Sequence, residues 1–363
     1  MNINHYYRAT VEELRSRDMR RVFVPGALLL LIALSFILMG LHRSHTFFSG
    51  RSIVTFAEVE GENAAFAAAG NGLAVVSDSR AALYSAKGQL IGEDDIHFSQ
   101  PMCSGCSSFM IYADSGTREL RLIHSNGTRN SITTEGGITW LHVNPEGLIT
   151  VITDKQGYKG CVTVYDRDLT PLFRWDAASG FPVFARTSAD DILMVNCVSY
   201  GGSSVHFFRI DQAPELGCFS AENTMILCSD FLADGTAAVL GDRALYLLDS
   251  SGALLVERTL DSYPVAWSLD GKNAVVATAD SCVSVFSSAG DILTSRAMSS
   301  IVSAIVQKED RLLLLFPTEV TLCPDTLEDG VSYQSANIRQ IFLRSPEIAL
   351  LCGETAVERV DFK

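Results

Sequence analysis

The sequence predicts an all-β fold: a β-propeller of eight blades, with seven as the alternative count, preceded by one transmembrane helix. Three observations point there. Short apolar runs rich in β-formers begin at residues 72, 108, 147, 191, 235, 273, 311 and 347, in steps of 36–44 residues. Each run is too short for a helix and is bounded by Gly, Asp, Asn or Pro, so each reads as a strand. Residues 22–41, by contrast, form one stretch without a charge. Four antiparallel strands repeating at this period make a propeller blade, and a lone blade leaves both faces bare, so blades must stack around an axis.

The elements follow in chain order. Residues 1–21 are a tail carrying Arg8, Arg15, Arg17, Arg20 and Arg21. Thr10-Val11-Glu12-Glu13 has the capping-box pattern that opens a short helix, and a disordered basic tail is the other reading. Residues 22–41 come next. At about 1.5 Å per residue they make roughly 30 Å of helix, the thickness of a bilayer's hydrocarbon. A cleaved signal has a shorter apolar stretch, about 7–15 residues, and small residues before the cut. This stretch leaves through Met39-Gly40-Leu41-His42-Arg43, so a retained anchor is expected. Five arginines precede it, and only Arg43 and Arg51 follow within the juxtamembrane linker 42–51. That bias puts the N-terminus in the cytoplasm and residues 52–363 outside the plasma membrane.

Within 52–363 the clearest unit spans residues 264–299: "PVAWSLD", "NAVVATAD", "SCVSVFSSAG" and "DILTSRAMS" are four strands separated by turns. Residues 225–260 repeat it. The last unit, "NIRQIFLRSP", "EIALLCG", "ETAVERVDF", has only three strands. Just after the linker, "RSIVTFAEVE" (51–60) is a strand with no blade of its own. It is expected to supply the missing fourth strand of the last blade and so remove an open edge.

These units resemble the WD40-like and quinoprotein-like propeller superfamilies, most nearly in the pattern "SxDGKxxxVxxxDxxVxVFxxxGxxL" of residues 268–293. One Trp-Asp pair, Trp175-Asp176, reads as the end of a third strand. The chain has only three Trp, and the tryptophan-docking motifs of quinoprotein enzymes are absent. Basic tail, single span and acidic propeller together resemble a bacterial family of membrane-anchored propellers. That resemblance implies a fold and an address, and no activity.

Charge is divided along the chain. Of 28 basic and 42 acidic residues, seven and three lie in residues 1–51, leaving 21 and 39 for the remainder. So acidic a domain repels phosphate, which argues against a nucleic-acid partner. Nine cysteines, an odd number, sit mostly inside apolar runs, as at Cys197, Cys228 and Cys352. There they act as small hydrophobes, unlike the cysteines of a disulfide-stapled domain. Cys103-x-x-Cys106 admits three readings: a turn with incidental cysteines, a local disulfide, or a redox or metal pair. The usual enzyme fingerprints and cofactor motifs are missing, and the seven histidines form no H-x-H or H-x-x-x-H pattern.

One constellation recurs with the repeat. After the second strand an acid stands in seven of eight units: Asp78, Asp114, Asp154, Asp242, Asp280, Glu319 and Glu354. On one end of a ring these would form a circle of carboxylates able to hold a cation or amine. Asp is also a common turn former in its own right. Arg80, Arg118, Lys155 and Arg243 stand nearby as neutralising partners. The sequence thus points to a non-enzymatic binding or scaffold module for a protein, peptide or cell-envelope ligand. The alternative is a cofactor- or cation-dependent sensor or enzyme using the channel mouth. A broad apolar and aromatic patch on one end of the ring would favour the first.

Overall fold

The computed structural model describes residues 53–212 and 214–362. The expectations for the tail, the span and the linker lie outside these. No helix among the described residues is long and apolar enough to cross a membrane. They form 32 strands, β1 to β32 in chain order, in eight four-stranded antiparallel sheets. Seven sheets are simple meanders. The eighth has the order β1-β32-β31-β30, with β1 (Ile53–Glu58) beside β32 (Ala356–Asp361), then β31 (Ile348–Cys352) and β30 (Gln340–Ser345). Ile53 pairs with Val360 and Glu58 with Ala356. The orphan strand therefore completes the last blade, as its missing partner required.

Stacking explains the sequence pattern. The second strand of a blade is buried on both sides, as in Ala237–Gly241 and Gly72–Val76, where every residue is buried. Successive residues there alternate between two neighbouring blades. Ala237 and Val239 join a core with Ile192 and Met194 of blade 4, whereas Ala238 and Leu240 join one with Ala274 and Val276 of blade 6. Eight such clusters fill the eight blade-to-blade interfaces. The one between blades 8 and 1 contains Phe56, Ala57 and Val59 with Phe66, Leu73 and Leu350, and it closes the ring.

Each meander starts at one end of the ring, which we call upper. The second-to-third-strand turns and the blade-to-blade connections lie at this upper end, and the remaining turns lie at the lower end. β1 begins at the lower end. All nine cysteines are free. Cys103 packs into the interface between blades 1 and 2, and Cys106 into that between blades 2 and 3, so the C-x-x-C spacing spreads two thiols over opposite faces of one blade. Trp175 lies in β13 (Pro171–Ala177), the fourth strand of blade 3, not at the end of a third. A tight turn through Leu169, at φ 63°, ends the third strand earlier than the Trp-Asp spacing suggests.

Candidate functional site

All seven recurring acids stand at the upper end, at or after the close of a second strand. Three of them bind backbone at the entry to their own blade. Asp78 Oδ1 accepts from Glu62 N–H at 3.0 Å, Asp114 from Ser99 and Gln100 N–H at 3.0 and 2.6 Å, and Asp154 from Gly137 N–H at 2.5 Å. Glycine lets the incoming chain pass over two of these carboxylates. A Cβ at Gly61 would sit 2.2 Å from Asp78 Oδ1, and one at Gly136 2.0 Å from the Asp154 carbonyl. Glu354 reaches Arg339 at 2.9 Å, Glu319 the Gln334 amide, and Asp280 the Thr278 hydroxyl. Asp242 Oδ1 is buried without a partner. Three of the four neighbouring bases are engaged elsewhere: Arg80 with Glu60 and Glu93, Arg118 with the Thr134 carbonyl, and Lys155 with Asp176.

The backbone contacts of Asp78, Asp114 and Asp154 reach residues 14–17 positions earlier in the chain, outside the acids' own turns, and the contacts differ enough between blades to be tested. Asp114→Asn gives up charged acceptors for two N–H groups and is expected to lose about 1–3 kcal/mol in chemical denaturation. Asp280→Asn, which touches one hydroxyl, should change stability by less than about 0.5 kcal/mol. Under the cation-ring reading, calorimetric titration with calcium gives heat in the wild type, and the triple variant Asp280→Asn, Glu319→Gln, Glu354→Gln loses it. Under the turn reading neither protein responds.

Beside Asp114 the upper end carries a polar cleft of about 530 Å³ between blades 1 and 2, lined by Asp95, His97, Phe98, Arg118 and Glu119 among others. From blade 3 onward its character changes. Tyr158, Phe181, Val183, Tyr200, Met225, Tyr263 and Ile301 are exposed there, on blades 3 to 7. Tyr200 occupies the turn of blade 4, the one blade without an acid, and is fully exposed. Lys155 lies over the Tyr158 ring and Lys159 over the Phe181 ring, each 4.8 Å from the centroid. A second exposed set is aliphatic: Leu172, Leu254, Leu255, Ile292 and Leu293 open outer strands at the lower end.

Innermost strands brace the aromatic sector. Trp140 and His142 stand on β10 (Ile138–Val143), Arg186 on β14 (Phe181–Thr187) and Asp230 on β18 (Ile226–Phe231). Arg186 lies 5.1 Å from the Trp140 centroid and donates to Asp230 at 3.0 Å, so blades 3, 4 and 5 are joined. Burial pushes the Asp230 carboxyl up against the pull of Arg186. His142 stacks on Trp140 with ring centroids 5.7 Å apart, and its Nδ1 has no partner. Burial, then the charge of Arg186, hold its pKa well below that of a free imidazole. A histidine of this kind is neutral in the fold and protonates first in the unfolded chain. Stability is therefore complete at pH 7 and falls as pH drops through about 6.5. Melting curves should show that fall, and His142→Phe, which keeps the stacking, should flatten it between about pH 7 and 5.

Fold and upper end together define an eight-bladed propeller whose turns present a polar cleft beside an aromatic crown. The chain belongs to the family of unknown function DUF5711, whose model matches residues 43–262, from before β1 through the fifth blade. Comparison with curated proteins yields no match. Among solved structures it is similar to the computationally designed Ika8 protein, at 17% identity and TM-score 0.67 over 85% of this chain and 99% of that one. It is also similar to the C-terminal WD40 domain of Sif2, at 13% and 0.66 over 86% and 98%. BamB from Moraxella catarrhalis follows, at 10% and 0.58 over 86% and 98%. At these identities the likeness establishes the fold.

The sequence located the acids but not the crown. Nothing in a lone Tyr or Met marks it as exposed. Only the blade geometry brings seven such residues, scattered over some 140 positions, to one end.

Proposed function

We propose that this protein is a non-enzymatic scaffold that binds a protein partner through the aromatic crown of blades 3 to 7, held outside the plasma membrane by a helix at 22–41. The observation that carries this is the crown itself. Tyrosine, phenylalanine and methionine are the side chains that anchor protein interfaces, and surfaces without a partner rarely gather so many. The ring supports the reading, because turns on a rigid frame present side chains at little entropic cost. β1 begins at the lower end of the ring, opposite the crown.

Photo-crosslinking in intact cells tests it. A photoreactive residue at Tyr200 should capture a discrete protein partner, reproducibly and in competition with unlabelled propeller, whereas one at Leu255 should not. Equal capture from both positions would remove the crown's special role.

A further inference from the structure

The polar cleft between blades 1 and 2 holds two opposite charges that the protein itself does not use. Its walls are two stretches of chain at the upper end. One is the link from β5 (Leu90–Asp95) to the next blade, which carries Asp95, His97 and Phe98. The other runs from the turn after β7 (Phe109–Asp114) into β8 (Glu119–His124) and carries Arg118 and Arg121. Asp95, His97 and Arg118 are exposed, so a ligand can reach them.

The other charges there are matched. Asp114 accepts from the Ser99 and Gln100 N–H groups. Arg121 reaches Asp94 at 2.8 Å and Glu119 at 2.9 Å. Arg118 donates from Nε to the Thr134 carbonyl at 2.9 Å, which leaves both its terminal amino groups without a partner among the described residues. The side chains of Asp95 and His97 make no hydrogen bond or ion pair with them either. Both walls are pinned by backbone. Ile96 N–H donates to the Ser79 carbonyl at 3.0 Å and Phe98 N–H to the Asp78 carbonyl at 2.8 Å, while opposite them Thr134 N–H donates to the Arg118 carbonyl at 2.8 Å. An acid and a base thus line one cleft and are held apart.

We propose that this cleft binds a zwitterionic compound of the α-amino acid class, with its carboxylate on Arg118 and its ammonium on Asp95. The terminal amino groups of a guanidinium match the two oxygens of a carboxylate, and an Nε already engaged fixes the plane of the fork. Asp95 supplies the counter-charge for an ammonium group, and Phe98 lines the same cleft for the ligand's side chain. The volume, about 530 Å³, lies within the roughly 300–1,000 Å³ of small-molecule sites. Other ligands fit less well. A divalent cation needs more oxygen donors than one free carboxylate offers. A phosphate ester would meet Asp95, Asp114 and Glu119. Solvated charges without partners are ordinary on a surface. Two opposite ones across a cleft with fixed walls, among charges that are otherwise matched, are what a ligand bearing both charges requires. The site is separate from the crown, and the inference does not rest on it.

Melting curves of the full-length protein, taken with each of the standard L-amino acids at millimolar concentration, make the first test. At least one should raise the melting temperature, and calorimetry with that amino acid should give one equivalent bound. Arg118→Gln and Asp95→Asn should each weaken its binding at least tenfold. Leu255→Ser, at the other end of the ring, should bind as the wild type does. Two analogues of the same amino acid probe the contacts without altering the protein. The N-acetyl form lacks the ammonium and the carboxamide form lacks the carboxylate, and each should bind the wild type at least tenfold more weakly. The N-acetyl form should lose nothing further in Asp95→Asn, nor the carboxamide form in Arg118→Gln. If no amino acid shifts the melting curve, or if affinity is unchanged in both cleft variants, the proposal falls. An N-acetyl form that binds as tightly as the free amino acid also overturns it, and would assign the cleft to the carboxyl end of a peptide.

Discussion

Deleting residues 53–58 should leave a chain that cannot close its ring. The loss has two parts. β32 loses its outer partner and becomes an open edge, a template for aggregation. The interface between blades 8 and 1 also loses Phe56 and Ala57, each 6% exposed. Removing a buried phenylalanine alone costs about 3–5 kcal/mol, against a total stability on the order of 5–15 kcal/mol for a typical domain. The deletion is therefore expected to give aggregated or partly unfolded protein. Phe56→Ala, which keeps the strand, should instead give a cooperative transition weakened by that same 3–5 kcal/mol. A peptide spanning residues 52–60, added to the deletion variant, should restore the transition by pairing with β32. A deletion variant with an unchanged melting curve would show that β1 adds nothing to closure.

The second large effect falls on binding. Replacing Tyr158, Phe181 and Tyr200 together by alanine should abolish partner capture from the upper end. These side chains are 47%, 56% and 110% exposed, so the fold should be kept. Aromatic anchors of an interface cost about 2 kcal/mol or more each on truncation, roughly 30-fold in affinity. Their effects are not additive, but the sum well exceeds what a moderate complex can lose. A matched variant on the lower rim, Leu254→Ser with Leu255→Ser, should capture partner as the wild type does. Persistence of capture in the triple variant, with its melting curve intact, would direct attention to the polar cleft beside Asp114.

How much of this was legible beforehand depends on whether a feature is local. Blades were legible because each is a run of neighbours in sequence: residues 264–297 form four strands where the turns "DGK" and "SSAG" end them. The orphan strand was legible by elimination, since a three-stranded last unit has an edge to fill. Acids after second strands were legible as positions. Their partners were not, because Asp114 meets Ser99 and Asp154 meets Gly137 only once the chain has turned. The Trp175-Asp176 pair reads as the end of a third strand, whereas the turn at Leu169 has already ended that strand and Trp175 lies on the fourth. In the structure it lies against His206 of the next blade.

Closure by β1 also has a consequence in time. Each blade can form from strands made within moments of one another, but Ile53 must wait for Val360. At about 5–20 residues per second, the roughly 300 residues between them take some 15–60 s to synthesise. Throughout that interval β1 is a solitary strand with Phe56 unburied, and the growing stack of blades has an unfinished side at each end. Bringing the two ends together then carries the entropy of closing a very long loop, softened because seven finished blades already curve toward each other. Assembly is therefore expected to be quick for the parts and slow for the whole. The vulnerable species is a nearly complete ring released from the ribosome before its first strand has met its last.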